Sequence, residues 1–440
     1  MFSYYIKLAL VSMRKTPGLV ALMVLAIGLG IGAAMTTVTV NYLMGTNPIP
    51  HKGDDLFAIQ LDSWDPNEPH SEPNLPPDQV TYTDAINLID SAPAFRQTAQ
   101  SRTAQVIELT GEQGKELKPY LATARTNYAD FFPMFDVPFL YGKGWTKQED
   151  LNSAFVAVLS KQTNEKLFGG ENSVGKTFLF GAKVMQVVGI LDTWAPLPKF
   201  YDLTTGAFDE PEALYIPFTT QVSNEWGRSG NTNCWKPVDG EGYQGFIQSE
   251  CVWIQFWAEL PNEEAKQDYK SFIDNYAREQ KKLGRFPRPL NNRLNSVPQW
   301  LEVQKVVTND AQILMWLSAL FLLVCLLNTI GLMLAKFIGK SGEIGLRRAV
   351  GASKQSIFNQ HLMEATCVGL LGGLFGLFLT WLGLQGIQSL YSNLNNALMQ
   401  LDIKMALSAV LLAILATVLA GLYPTIMASK VLPATQLKSQ

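Results

Sequence analysis

Gly170-Glu171-Asn172-Ser173-Val174-Gly175-Lys176-Thr177 has the spelling of a P-loop, in which backbone amides and a lysine cradle nucleotide phosphates. The neighbouring sequence argues against that chemistry. A P-loop follows a strand and opens a helix, but Lys161 to Phe168 reads as a helix and Phe178 to Ile190 as strand, turn and strand. A glycine turn is the better reading. Other catalytic patterns are missing. The chain has no HExxH, GxSxG or CxxC, and its three histidines, His51, His70 and His361, are far apart. Carboxylates are plentiful, yet none stands out as a catalytic pair. The chain therefore reads as no enzyme by itself, with no cofactor or metal of its own. A net charge of −3 without a long basic run excludes a nucleic-acid scaffold.

One short stretch mixes charge and apolarity at helical spacing: Glu343-Ile344-Gly345-Leu346-Arg347-Arg348-Ala349-Val350-Gly351-Ala352-Ser353-Lys354. Ile344, Arg347 and Arg348 share a turn, and Val350 extends the apolar side. Gly351 can end this helix and Ser353 can cap the next, which leads onward through Glu364. Such a helix is either an interfacial anchor whose arginines touch anionic lipid or a docking knob for a soluble partner.

The elements around it decide where it sits. Charged residues are 17% of the 440-residue chain and hydrophobic ones 47%, so a low-charge part and a polar part must coexist. Four uncharged stretches supply the first: Leu19 to Met44, Ala311 to Ala335, Ala365 to Leu390 and Met405 to Ser429. Each exceeds the roughly 20 residues that cross about 30 Å of hydrocarbon. The first is too long for a signal peptide's apolar region and ends in no clear cleavage site. Ahead of it, Phe2, Tyr5, Ile6, Ala9, Leu10 and Met13 recur at helical spacing, which predicts an amphipathic helix lying at the membrane surface. Basic residues cluster before span 1 (Lys7, Arg14, Lys15), between spans 2 and 3 (Lys336, Lys340, Arg347, Arg348, Lys354) and after span 4 (Lys430, Lys438). Between spans 3 and 4 there is only Lys404. The positive-inside rule then puts both termini and the 343–350 helix in the cytoplasm, and the long insertion outside.

The expected architecture is an integral membrane protein with four transmembrane helices in a 1 + 3 order and a large α+β domain inserted between spans 1 and 2. Residues 1–45 carry the amphipathic helix and span 1, 46–308 the outside domain with room for two subdomains, and 309–440 spans 2–4. In the domain, Leu56–Leu61, Phe155–Leu159 and Val252–Trp257 read as strands, the last half-buried. Thr83–Ser91 and Glu263–Lys282 read as helices, and the prolines from Pro66 to Pro77 as an exposed, extended loop. An oxidising compartment favours a disulfide between Cys234 and Cys251, with two reduced, buried thiols as the alternative. Gly28 and Gly32, Gly369 and Gly373, and Gly372 and Gly376 form GxxxG pairs suited to close helix packing in lipid.

The 343–352 run resembles the coupling segment of ABC-transporter permeases of the macrolide-exporter (MacB) and FtsX type, also called type VII. The 1 + 3 order is similar, and so are Asn127-Tyr128 to Phe132, Leu140-Tyr141-Gly142-Lys143, Val156–Leu159, Leu167-Phe168-Gly169, Val174-Gly175-Lys176 and Val187–Ile190, which resemble the family's periplasmic domain in order. Gly421-Leu422-Tyr423-Pro424, Ala428 and Pro433-Ala434 resemble its closing segment. The resemblance implies a bacterial inner-membrane permease that works as a dimer with an identical or paralogous second permease, spans 1 and 2 at the interface. The macrolide exporter carries its ATPase ahead of span 1 on the same chain. Here span 1 begins by Leu19, so ATP and Mg2+ are expected on a separate cytoplasmic ABC ATPase subunit. Glu343, Ile344, Gly345, Leu346, Arg347, Arg348, Gly351 and Ala352 would meet that subunit. Efflux with a periplasmic adaptor and an outer-membrane channel is the leading expectation. Lipoprotein release, or FtsX-like signalling to cell-wall hydrolases, is the alternative.

Overall fold

A computed structural model describes residues 2–109, 118–390 and 403–429. Pro433, Ala434, Lys430 and Lys438 lie outside the described residues. Two compact units emerge: Met1–Met44 with Val307–Gln440, and Gly45–Val306.

The chain opens with α1 (Phe2–Lys15) and α2 (Pro17–Gly45). Pro17 suits the first turn of α2, where its missing N–H would have no helical partner anyway. The inserted unit then runs β1 (Leu56–Gln60), α3 (Tyr82–Ser91), β2 (Arg96–Glu108), β3 (Tyr120–Asn127), α4 (Phe131–Met134), β4 (Phe139–Gly142), α5 (Lys147–Leu151), β5 (Val156–Leu159), α6 (Lys161–Phe168), β6 (Thr177–Phe180), β7 (Lys183–Leu191), β8 (Leu214–Pro217), α7 (Phe218–Ser223), α8 (Gly242–Ile247), β9 (Gln255–Glu259), α9 (Glu263–Lys282), β10 (Arg293–Ser296) and α10 (Val297–Val303). The chain returns through α11 (Asn309–Gly339), α12 (Ser341–Ala349), α13 (Lys354–Leu390) and α14 (Ile403–Ser429).

The inserted unit is built on one ten-stranded sheet, ordered β10-β1-β9-β2-β3-β8-β5-β7-β4, with β6 joining β2 to β7. The long β2 serves both halves. Its Arg96–Gln100 segment pairs with β9, and Ser101–Ile107 with β3. Side-chain caps fix the helices: Thr81 accepts from the Asp84 amide, Ser160 from Thr163, and Asn262 from Ala265. α9 buries a stripe of Tyr269, Ile273 and Ala277, four residues apart, with Phe272 and Tyr276 partly buried beside it.

Two expectations for this unit need correction. The strand expected to be half-buried is β9, and all five of its residues are buried, because Trp257 packs with Phe135, Phe200 and Trp300 on one face of the sheet while Phe256 and Ala258 pack with Tyr269 and Ile273 on the other. The proline loop is not exposed throughout. Pro76 and Pro77 are buried, and their carbonyls accept from Gln60 Nε2 at 3.2 and 3.1 Å.

Among the described residues, the other unit contains four helices long and apolar enough to cross a membrane, within α2, α11, α13 and α14. α1 turns Ala9, Ser12 and Met13 inward, while Leu10 is 48% exposed. The inward face therefore includes a serine that hydrophobic spacing alone passes over.

Candidate functional site

α12 lies between two membrane-spanning helices and is anchored along one side. Ile344 is 5% exposed and Gly345 is buried, whereas Leu346 and Val350 are 59% and 82% exposed. Arg347 organises the fixed side. One guanidinium nitrogen donates to Glu343 Oε1 at 2.7 Å, one turn earlier, and another donates to Gln360 Oε1 of α13 at 2.9 Å. Lys15, at the end of α1, lies 3.6 Å from Glu343 Oε2. Arg348 is half-buried on the same helix. The helix stops at Gly351, whose φ of +107° suits glycine, and the Ala352 amide donates back to the Arg347 carbonyl at 3.0 Å. Ser353 then accepts from the Ser356 amide at 3.1 Å and starts α13.

Behind α12 is a buried polar cluster drawn from α1, α11 and α13. Lys336 pairs with Glu364, their side chains 1% and 4% exposed. The Ser12 hydroxyl lies 3.0 and 3.1 Å from the two Glu364 oxygens. Lys340 Nζ donates to Ser12 Oγ at 2.7 Å and to the Ser12 carbonyl at 3.2 Å. Burial holds the Lys340 ammonium below its ordinary value, opposed by the Glu364 charge. His361 Nδ1 is 3.5 Å from Glu364 Oε2, and its ring packs 4.2 Å from that of Phe337. Charges at this depth are costly unless paired, so the cluster ties the three helices together immediately beneath α12.

The glycine pairs meet different neighbours. A Cβ on Gly32 would come within 2.7 Å of Leu379, and one on Gly28 would strike the Phe375 ring. Reciprocally, Cβ atoms on Gly372 and Gly376 would come within 2.7 and 2.8 Å of Ile27 and Ile31. α2 and α13 thus approach through facing GxxxG pairs. Gly373, with Ala413 at 2.9 Å, and Gly369, against Thr417, admit α14 on the other side of α13.

In the other unit, Cys234 and Cys251 are joined in a disulfide. The P-loop-like stretch follows α6 and runs into β6, with Gly169, Gly170 and Gly175 all at positive φ. Ser173 donates to Asn164 Oδ1 at 2.5 Å, and Lys176 lies over the Phe168 ring. These contacts make it a packed turn between helix and hairpin.

Residues 20–266, more than half of the chain, match the family model of the MacB-like periplasmic core domain, and residues 315–433 match the FtsX-like permease C-terminal model. The chain belongs to the MacB/FtsX-type ABC permeases. Among curated relatives, it is 25% identical to a macrolide export ATP-binding/permease protein MacB of Marinobacter nauticus over 62% of this chain and 37% of that protein. It is 25% identical to a pyoverdine export ATP-binding/permease protein PvdT of Pseudomonas putida over 67% and 42%. The permease spans less than half the length of these relatives. Solved structures with similarity include the periplasmic region of MacB from Actinobacillus actinomycetemcomitans (TM-score 0.37, 13% identity, 59% of this chain and 96% of that one). Another is the extracellular domain of YknZ from Gram-positive bacteria (TM-score 0.34, 13% identity, 54% and 98%). The permease is accordingly an integral membrane protein, one span followed by three, with a large α+β periplasmic domain between spans 1 and 2.

Of the residues singled out from the permease sequence, Glu343, Ile344, Gly345 and Arg347 form the fixed side of α12, and Leu346 points outward. Gly351 and Ala352 make the turn that ends it. The helix expected at 343–350 runs Ser341–Ala349, with Val350 as its C-cap. Sequence reading missed Ser12, Glu364 and His361, and took Lys336 for a loop charge. The available signal was Glu364 itself, a lone carboxylate at the head of an uncharged run that extends to Leu401.

Proposed function

We propose that this permease transmits ATP-driven motion from a separate cytoplasmic ATPase subunit to its periplasmic domain, as part of an exporter. Both termini and α12 face the cytoplasm in this reading, in keeping with the basic residues Lys7, Arg14, Lys15, Lys340, Arg347 and Arg348 on that side. The single observation that carries it is the asymmetry of α12. One side is tied to α13 and α1 through Arg347, Glu343 and Lys15, while Leu346 and Val350 stand exposed at its other side. A partner that seats Leu346 and Val350 and moves would pull α13, and the Lys336–Glu364 cluster would carry α11 and α1 with it. ATP and Mg2+ belong to that partner. A second permease chain completes the assembly, and a periplasmic adaptor with an outer-membrane channel extends the route outward. The names of the curated relatives, exporters of macrolides and of pyoverdine, support export.

Gentle purification from membranes with mass identification of co-purifying chains tests the reading. An ABC ATPase is expected with the wild-type permease, and Leu346→Asp/Val350→Asp should insert normally and retain less of it. Absence of any ATPase from the wild-type complex, with the permease intact, would contradict it.

A further inference from the structure

A narrow crevice of 30 Å³ opens between α1, α12 and α13. Its charged walls are Lys15 of α1, Lys340 at the junction of α11 and α12, and Glu343 and Arg347 of α12. His361 of α13 and the apolar Val11 of α1 also line it.

The charges of the crevice do not balance. Glu343 is its lining carboxylate, and Arg347 and Lys15 share it at 2.7 and 3.6 Å. Lys340 Nζ bonds two neutral oxygens, Ser12 Oγ at 2.7 Å and the Ser12 carbonyl at 3.2 Å. Glu364, behind them, is already paired with Lys336. Three cations thus face one anion. Lys340 is half-buried, and its ammonium keeps a third N–H for a further acceptor. Burial disfavours its charge and the charges of Lys336 and Lys15 add to that, against the pull of Glu364 and Glu343. An anion at the mouth would relieve this excess.

Position decides which anion. α1 ends at Lys15 and the span-bearing α2 begins at Pro17, while Lys340 follows Gly339, the last residue of α11. Both cations therefore lie at the ends of membrane-crossing helices, where lipid headgroups are. Beside them α1 exposes Tyr4, Leu10 and Val11, by 59%, 48% and 54%. Exposed apolar side chains next to unbalanced cations suit an amphiphile, whose chain covers the first while its phosphate meets the second. The crevice has room for about two water-sized groups. That is enough for phosphate oxygens and too little for a whole headgroup, so the phosphate would cap the mouth.

We propose that this crevice binds the phosphate of an anionic phospholipid, with its oxygens on Lys340 and Lys15 and an acyl chain along Val11. The site rests on the membrane spans and not on ATPase coupling. Phosphatidylcholine carries the same phosphate but brings a cation toward Lys15, so it is the poorer ligand.

Native mass spectrometry of the full-length permease in non-ionic detergent tests the proposal, with phosphatidylglycerol and phosphatidylcholine as probes. Wild type should bind phosphatidylglycerol about tenfold more tightly or better. A lysine near anionic lipid contributes about fivefold. Lys15→Gln changes a side chain that is 57% exposed, so it should fold normally and weaken phosphatidylglycerol by about that factor. Lys15→Gln/Lys340→Gln should weaken it about tenfold or more. Lys7→Gln/Arg14→Gln removes the same charge from α1 outside the crevice and should stay within about twofold of wild type. Equal weakening by the two double variants would mean diffuse attraction and would overturn the site, as would equal binding of the two lipids by wild type. Glycerol 3-phosphate separates a lipid from a soluble phosphate. It should fail to displace phosphatidylglycerol at about 10 mM, and displacement would overturn the assignment to lipid.

Discussion

Lys336 of α11 and Glu364 of α13 form an ion pair between two membrane-spanning helices, with side chains 1% and 4% exposed. Ser12 of α1 binds both carboxylate oxygens, so one acidic group holds three helices at the level of α12. Removing one member should cost far more than removing both, because a lone buried charge has no compensation. Glu364→Gln is expected to destabilise the permease by about 3–5 kcal/mol. Lys336→Met/Glu364→Gln should recover most of that loss. Thermal unfolding of the purified variants checks this, and a double variant as unstable as the single would contradict it.

The facing glycines of α2 and α13 give a second expectation. Gly28→Leu drives a side chain into the Phe375 ring, and Gly376→Leu into Ile31. Overpacking of this kind costs about 1–3 kcal/mol. Gly331, on α11, has open space around its Cβ position, so Gly331→Leu should leave stability unchanged. Melting temperatures of the three variants decide between close approach and ordinary helix glycine.

The Cys234–Cys251 bridge closes a loop of 17 residues' separation. Chain entropy puts its contribution at about 3 kcal/mol. A reductant should lower the melting temperature of the periplasmic domain in wild type and do nothing to Cys234→Ser/Cys251→Ser, which should already melt lower.

Asp150 predicts a pH dependence in the same domain. Burial pushes its carboxyl up to about 7 from an ordinary 3.8, although the Ala129 amide and the Trp145 indole N–H, both at 2.7 Å, favour the charged form. Between those two values the folded chain keeps a proton that the unfolded chain has lost. Stability from this group is therefore full below the lower value and is lost as pH rises to the upper one, at up to about 1.4 kcal/mol per pH unit. Asp150→Asn should abolish that part of the slope, whatever its own stability. A wild-type slope retained in the variant would contradict the assignment.

What could be read from sequence depended on whether side-chain type reported burial. α2 and α11 were legible because an uncharged run of that length has few other uses, and the end of α12 because Gly351 interrupts a helical pattern. β2 was not legible. Thr98, Gln100, Ser101 and Thr103 are all buried, yet they spell a polar loop. Most of their polarity is satisfied across the sheet and beyond it, as where Ser101 meets Thr126 and Gln221 and Gln100 Nε2 donates to the Tyr201 carbonyl, whereas Gln100 Oε1 has no partner. β9 alternates in sequence but is covered on both faces, Trp257 by one core cluster and Phe256 and Ala258 by another. Lys336 looked like a topology charge because its partner, Glu364, lies 28 residues away on another helix. The glycine spacings announced close contacts but not which pairs would face each other.

The exposed side of α12 carries the central claim and can be altered without disturbing its anchored side. The most direct measurement is the ATP hydrolysis rate of the partner ATPase reconstituted in nanodiscs with wild-type permease or with Leu346→Asp/Val350→Asp. Both residues point away from the helix bundle, so the variant should insert and melt like wild type. The expected result is loss of permease-dependent stimulation, with the basal rate of the ATPase alone unchanged. Full stimulation by the Leu346→Asp/Val350→Asp permease would contradict docking through α12.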